Sequence, residues 1–480
     1  MIPVAANSWQ RNARDAGPAL PLLASAFLLA AATIQANWIP VDADVSWLIT
    51  VCEAVLSGQR LYVDLLEANP PASVWLYLPP VWLAHATGLK PEAVVVGAAL
   101  AGSLLSLWAT VTTASHLSRA PRPSLLAAAC GFVLFLLPGG LFAQREHVAL
   151  MLALPVLTQL AAIADRQRLS LASTSAGGAA AGLLVVIKPH FALVLLLPAV
   201  WTLLRTRDVR RLVTPALIAA AIAVIYAAAL LLFARDYLRV LPMLADTYLP
   251  MRDKPANFLI GPMLLAPALF FALSRLLRAR SATQSTILYL GAAGFALAGL
   301  IQGKNYLNHA LPGMALALVA LLLLFGQLGD RSRRRLVGLA TFAIAAIQLN
   351  ATVAIQPLPG LAEAIVRAGP PRPTIMTLGT ELSTGHPAVR HARGRWVGSS
   401  PALFTAAGAR YVGLARPAAR RWYHADLDTF VRDVRTKRPD LLLIEDRSRA
   451  WLLKDPAIRA AVSPYHPVAR AGDIEVWRRR

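Results

Sequence analysis

Charge is scarce in this chain. Only 15% of its 480 residues are Asp, Glu, Lys or Arg, against roughly 25% in an ordinary soluble domain. That shortage excludes a soluble enzyme and a disordered chain, both of which need charged surface. Acids are the scarcer sign: 25 Asp and Glu stand against 47 Lys and Arg, a formal charge of +22. Cysteine is almost absent. Cys52 and Cys130 cannot build a disulfide framework, so the fold does not depend on one; both read as packing residues. There is no internal repeat, no low-complexity tract and no collagenous period. A glycine-rich phosphate loop is missing too, since Gly379-Thr380-Glu381 does not make one. Hydrophobic residues fill the space, at 57%, with a mean hydropathy of +0.54. The bilayer is the solvent such a sequence fits.

The first apolar run, 19–38, follows Arg11 and Arg14. It exceeds the roughly 7–15 apolar residues of a signal-peptide core and reads as an uncleaved span with a cytoplasmic N-terminus. Further uncharged runs cover about 93–115, 124–141, 148–164, 169–187, 191–204, 212–234, 255–274, 281–303, 307–329 and 336–357. Most approach the ~20 residues that a span needs. The stretch 71–88 is short and contains Pro79-Pro80. Parity decides its reading. Cytoplasmic loops collect Lys and Arg, and five short loops here are Arg-rich: Arg119/Arg122, Arg166/Arg168, Arg205/Arg207/Arg210/Arg211, Arg275/Arg278/Arg280 and Arg331/Arg333/Arg334/Arg335. All five fall inside only if 71–88 does not cross. It therefore reads as an interfacial or re-entrant helix on the outer face. The sequence thus predicts a polytopic α-helical membrane protein of the inner (plasma) membrane, with about eleven transmembrane helices and an outer C-terminus. On a soluble protein a pI near 11.1 would suggest nucleic acid. Here arginine lines the inner surface, and no nucleic-acid partner is expected.

The outer face carries a different set. Loop 39–70 holds Asp42, Asp44, Glu53, Asp64 and Glu67 against one Arg60. Later outer turns hold Gln144-Arg145-Glu146-His147, Lys188-Pro189-His190, the charged loop 235–254, and Gln302-Gly303-Lys304 with His309 just inside the next run. Ionisable residues at the edge of a membrane bundle are costly and mark function. Each also has a plainer reading. Asp44 suits a helix N-cap, while Asp42, Asp64 and Glu67 suit solvated loop acids. Arg145 and Glu146 suit a local ion pair. Lys188-Pro189 suits a kink with a snorkelling lysine, and His147 and His190 suit packed or interfacial positions. Gln302, Lys304 and His309 suit an interfacial anchor, although Lys304 and His309 at a helix start could also reach an anion. His147, His190 and His309 with Glu146 lack tight metal-ligand spacing. No residue is assigned to a metal, and a divalent cofactor stays an open alternative.

Beyond about 358 charge rises and apolar runs shrink to strand length. Strands are predicted at 374–378, 396–398, 411–413, 441–444 and 474–477, with helices at 427–435 and 450–460. That alternation predicts a small soluble α/β domain. The expected division is a membrane domain over 1–357, including an outer loop 39–91 with interfacial helices, and a periplasmic or extracellular α/β domain over 358–480.

The first outer loop carries a resemblance. Val45, Leu48, Ile49, Cys52, Val55 and Leu56 share one helical face, ended by Gly58, so a helix is expected to lie on the outer membrane surface. The ordered set Asp44-x-x-Trp47, Gly58, Tyr62 and Pro70-Pro71 before Trp75 resembles the first outer loop of the C-type membrane glycosyltransferases. Most similar is their family 39, the group of the protein O-mannosyltransferases and the lipid A aminoarabinose transferase. The detailed motif covers about 42–77. The hydropathy layout is also similar: a large first outer loop, many spans and a soluble outer tail.

The resemblance implies an inverting hexosyl or pentosyl transferase. It would move a sugar from a polyprenyl-phosphate donor to a glycan, lipid or protein hydroxyl on the outer face. Asp44 takes the acceptor-activating role, and Glu146 stands as the second outer-loop acid. The family's usual lysine before Pro-Pro is replaced by Asn69, leaving Lys188 or Lys304 to grip the lipid phosphate. Asp42, Glu67, Asn69, Arg145, His147, Lys188, His190, Gln302, Lys304 and His309 are the candidate substrate-binding residues. The chemistry fits these types. A polyprenyl phosphate leaves as an anion and needs cations, the attacking hydroxyl needs a carboxylate base, and the apolar wall suits membrane lipid. The alternatives are a transporter or flippase of lipid-linked glycans, or a glycan polymerase or ligase. Against transport stand the missing repeat and the charges gathered on one face instead of the midplane.

Overall fold

Apolar runs that cannot hydrogen-bond to lipid must satisfy their backbone internally, so they form helices. The computed structural model describes residues 19–277 and 281–480; Arg11, Arg14, Arg278 and Arg280 lie outside the described residues. Among the described residues seven helices are long and apolar enough to cross a membrane: Pro91–Ala114, Arg145–Ala164, Pro189–Thr206, Arg210–Phe233, Thr283–Gln302, Leu307–Gln327 and Arg331–Val353. Four shorter apolar helices span Pro21–Asn37, Pro123–Leu136, Leu171–Ile187 and Pro262–Leu276. The expected interfacial stretch 71–88 folds as two helices, Pro71–Trp75 of 5 residues and Leu78–Thr87 of 10. Neither has the ~20 residues of a span.

The chain packs as two units. The first comprises 1–39, 96–228 and 253–355; the second comprises 40–95, 229–252 and 356–480. Thus the 40–95 and 229–252 segments belong to the same unit as the tail.

In the first unit the Arg145–Ala164 and Leu307–Gln327 helices are central, each 83% buried over its most apolar stretch, while Arg210–Phe233 has no fully buried residue there and packs one side against Gly178 and Gly182. Close packing needs small residues where backbones meet. A Cβ on Gly294 would stand 2.5 Å from the Leu193 carbonyl oxygen, so only glycine lets the Thr283–Gln302 helix approach there. At the C-terminal end of the Arg145–Ala164 helix the Asp165 carboxylate gathers several loop ends. It accepts from Ser118 Oγ and Thr283 Oγ1, both at 2.6 Å, and lies 3.6 Å from Arg205.

In the second unit the Ala43–Leu56 helix forms where periodicity placed it, with two corrections. Asp42, not Asp44, is the N-cap: its carboxylate accepts from the Val45 N–H at 3.0 Å. The helix is also covered on more than the one face that the amphipathic pattern marks. Residues 45–49, 51 and 52 are all buried. On one side the Cys52 thiol bonds to the Val74 carbonyl at 3.4 Å. On another the Trp47 ring meets His386 and Trp396 of the tail, with centroids 5.3 and 6.1 Å away. An amphipathic pattern cannot foresee a second covering layer from residues more than 300 positions away.

The tail holds a five-stranded sheet in the order β2-β1-β3-β5-β4. β1 (Thr374–Leu378), β2 (Arg395–Trp396) and β3 (Leu441–Glu445) are parallel; β5 (Ile474–Arg479) runs antiparallel beside β3, and β4 (Tyr465–Ala471) pairs antiparallel with β5 at the edge. The expected strand at 411–413 is instead the end of the Phe404–Val412 helix, and the expected helix at 450–460 is two, Asp446–Leu452 and Pro456–Val462. Asp455 caps the second by accepting from the Ala457 and Ile458 N–H groups, and Pro456 cannot continue the first. β4 had no sequence signal: it is an edge strand containing Pro467, where ladder hydrogen bonding is dispensable.

Asp426, inside the Pro417–Lys437 helix, is buried and accepts from the Ala406 N–H at 2.8 Å. Burial pushes its carboxyl from 3.8 up to about 7. The folded state therefore keeps a proton that the unfolded chain releases near 3.8. Folding is favoured most below that pH, and the contribution is lost as pH rises from about 4 to about 7. Thermal unfolding of the whole protein in detergent is expected to fall over that window, and Asp426→Asn to flatten the slope. An unchanged slope in Asp426→Asn would assign the pH dependence to other groups.

Candidate functional site

The strongest polar cluster of the first unit grows from three helix ends. The chain into the first is bent twice. After Pro123–Gly131 a π-helical turn spans Phe132–Leu136, a 3-10 turn spans Gly139–Leu141, and Ala143 takes φ +64°. Arg145–Ala164 then begins with Arg145, Glu146 and His147 in its first turn, all buried. The Leu171–Ile187 helix ends at Lys188, whose φ of −147° leaves the helical region just before Pro189. The Thr283–Gln302 helix ends at Gly303 with φ +71°, a left-handed cap suited to glycine, and the Leu307–Gln327 helix then carries His309 in its first turn.

These ends meet. Lys188 Nζ donates to Glu146 Oε1 at 2.5 Å and lies 3.3 Å from His309 Nε2, which is itself 3.6 Å from the same oxygen. Glu146 is 0% exposed and Lys188 5%. Arg145 and Lys304 are buried as well. Arg145 stands within electrostatic reach of Glu146 and His309, and the Lys304 backbone lies beside the His309 ring. Glu146 Oε2 has no hydrogen-bond partner among the described residues. A carboxylate, a lysine and an imidazole are thus held in contact, away from bulk solvent, with further cations beside them. Such an arrangement attracts a multiply charged anion and can trade the lysine's contact from Glu146 to it.

The other candidates in this unit take different places. His190 is half-buried and edge-on to Phe191, with centroids 5.0 Å apart. Gln302 is the half-buried last residue of its helix. His147 faces the bent entry instead of the cluster: Nδ1 accepts from the Ala143 N–H at 3.1 Å and Nε2 lies 2.8 Å from the Leu134 carbonyl. It ties the π-turn to the residue of positive φ and so sets where Glu146 starts. His147→Phe removes both of these buried hydrogen bonds, at about 1–3 kcal/mol each. Thermal unfolding in detergent is expected to drop accordingly, with His147→Asn recovering part of it. A His147→Phe protein as stable as wild type would remove this anchoring role.

A metal bridging Glu146 and His309 does not fit this donor set. The Lys188 ammonium already stands within 3.3 Å of both, where such an ion would sit. Among the described residues no group of three or more His, Cys, Asp or Glu side chains is placed to hold a metal ion.

In the second unit Asp44 lies half-buried in the first turn of the Ala43–Leu56 helix, next to the capping Asp42. Glu67 is buried: Oε2 accepts from Trp47 Nε1 at 2.6 Å, and Oε1 accepts from Asn69 N at 2.8 Å and Nδ2 at 2.5 Å. The Asn69 carbonyl accepts from Tyr62 O–H at 2.6 Å. Glu67 therefore fastens the turn before Pro70-Pro71 onto the helix that presents Asp44.

Two tail residues gave no signal in sequence. Arg390 donates to Glu53 at 2.5 and 3.0 Å and to Glu92 at 2.5 Å, across 337 and 298 positions. His386 lies 3.4 Å from Ser46 Oγ and against Trp47 and Trp396. Burial, with Arg390's charge, pushes its imidazole down to about 3, which keeps it neutral.

No family model and no curated protein matches this chain. Solved structures do. ArnT from Cupriavidus metallidurans bound to undecaprenyl phosphate aligns over 98% of this chain and 98% of its own, with TM-score 0.58 and 15% identity. Its apo state aligns over 95% and 96%, with TM-score 0.60 and 15% identity. The archaeal oligosaccharyltransferase AglB from Archaeoglobus fulgidus, in complex with an inhibitory peptide and a dolichol-phosphate, aligns over 94% and 74% at TM-score 0.46 and 13% identity, too distant to carry an argument. At 15% identity the shared property is the fold. The likeness first carried by residues 42–77 extends over nearly the whole chain: it has the fold of a C-type membrane glycosyltransferase.

Proposed function

We propose, on the premise of a C-type glycosyltransferase fold, that this protein transfers a sugar from a polyprenyl-phosphate donor to an acceptor hydroxyl on the outer face of the membrane. The observation that carries the reading is the buried contact of Glu146, Lys188 and His309, with Arg145 and Lys304 close by. ArnT, whose fold it shares, binds undecaprenyl phosphate, and a buried cation cluster of this kind suits that headgroup.

In the proposed reaction the acceptor oxygen attacks the anomeric carbon of the sugar. The bond from that carbon to the phosphate oxygen breaks, and its electron pair stays with the polyprenyl phosphate. Lys188, Arg145 and Lys304 stabilise that departing anion. The acceptor's proton passes to a carboxylate, the role we assign to Asp44. Direct attack inverts the anomeric centre. Glu146 holds Lys188 in place when no phosphate is bound. The seven long and four shorter apolar helices are taken as eleven crossings of the inner membrane. The Arg-rich loops then lie in the cytoplasm, and the α/β domain beyond about 358 lies outside.

The test is envelope glycolipid and glycan mass spectrometry on a deletion strain. Deletion is expected to remove one sugar unit, and the wild-type gene to restore it. If deletion instead accumulates an unaltered lipid-linked sugar on the inner face, the protein is a transporter and the transferase reading fails.

A further inference from the structure

The second unit contains a groove that none of the chemistry above uses. It runs between the Ala43–Leu56 helix, loop 59–65, the edge strand β2 with residues 397–399, and the C-terminal end of the Pro417–Lys437 helix, and encloses about 1020 Å³. Its floor is fixed. The Ser399 carbonyl accepts from the Leu66 N–H at 2.7 Å, the Ser399 N–H donates to Asp433 at 2.7 Å, and Ser399 Oγ accepts from Lys437 at 2.8 Å.

The walls point to a ligand class. An acyl chain wants continuous apolar lining, whereas these walls alternate ion pairs and hydroxyls with the half-buried indole of Trp396. Pyranose rings match that alternation, with C–H faces that lie on an aromatic ring and a rim of hydroxyls that both donate and accept. Charge narrows the class. Glu53 is engaged by Arg390, Asp433 by Lys437 at 3.0 Å and by Arg432 at 3.8 Å, and Asp64 by Arg60. The exposed Arg395 side chain makes no hydrogen bond or ion pair among the described residues. Its planar fork is the group left to meet a ligand's charge, and it suits a carboxylate or phosphate.

We propose that this groove binds the acceptor, and that the acceptor is a glycan carrying an acidic group met by Arg395. The word acceptor rests on the transferase reading; the recognition chemistry does not. Full-length protein in detergent is titrated calorimetrically with trigalacturonate, a phosphorylated mannotriose and neutral maltotriose. At least one acidic trisaccharide is expected to bind about tenfold tighter than maltotriose, and which one does so identifies the acid. Arg395→Gln should remove that difference. Thr436→Trp, at an exposed groove position whose own side chain joins none of the ion pairs, should block all three sugars while leaving thermal unfolding unchanged. Equal binding of acidic and neutral sugars, no binding at all, or acidic binding that survives both variants overturns the proposal. Undecaprenyl-phosphate binding, measured on the same samples, separates the two readings. If it persists while sugar binding is absent, only the groove assignment falls; if it is absent as well, the transferase reading falls too.

Discussion

Glu146→Gln is expected to lower sugar transfer about 10²–10³-fold at matched membrane abundance. The glutamine keeps the shape and removes the charge that Lys188 faces at 2.5 Å. Removing one partner of a buried pair costs about 3–5 kcal/mol, because the other charge stays behind in a low dielectric. Lys188 is only 5% exposed, so the variant should also unfold at lower temperature. The double change Glu146→Gln with Lys188→Met separates the two effects. With both charges gone, most of the lost stability should return, whereas transfer should not, since the cation for the leaving phosphate is also gone. The coupling is read from a double-mutant cycle in thermal unfolding alongside transfer rates. A Glu146→Gln protein with wild-type stability and transfer would remove the pair from both the chemistry and the stability of the fold.

Asp44→Asn is expected to lower transfer by about 10²–10⁴-fold, the usual contribution of a general base, with stability nearly unchanged. The geometry of the helix start makes the two neighbouring acids separable. Asp42 satisfies the Val45 N–H, so Asp42→Ala should cost about 1 kcal/mol of stability and leave much of the transfer intact. Asp44 lies two positions inside the cap, in the first turn of the helix. Transfer by each variant in membranes of equal protein content checks the pattern. Full transfer by Asp44→Asn would remove it from the chemistry and pass the base role to another carboxylate.

The candidate site was legible in unequal parts. Glu146, Lys188 and His309 stand out in sequence because a membrane chain seldom spends charge at the ends of apolar runs. Their contact is not legible: 42 and 121 positions separate Lys188 from its two partners, and no local pattern fixes which helix ends meet. His147 shows the converse. It sits beside Glu146 in sequence, yet its ring is spent on the Ala143 and Leu134 backbone, because a π-turn upstream needs a partner there. Arg390 looked like one more tail arginine. Only the packing of the tail against the Ala43–Leu56 helix made it the fork between Glu53 and Glu92.

The sequence by itself determined that this is a chain of apolar helices with an acid-bearing first loop and an α/β tail, because hydropathy and local periodicity act over neighbouring residues. Tertiary structure alone decided that the loop helix is covered by the tail, that the 411–413 segment ends a helix instead of forming a strand, and that three distant helix ends share one buried charge cluster. Each of those outcomes depends on contacts between segments far apart in the chain, where the lowest free energy belongs to the packed whole and not to the local preference of any segment.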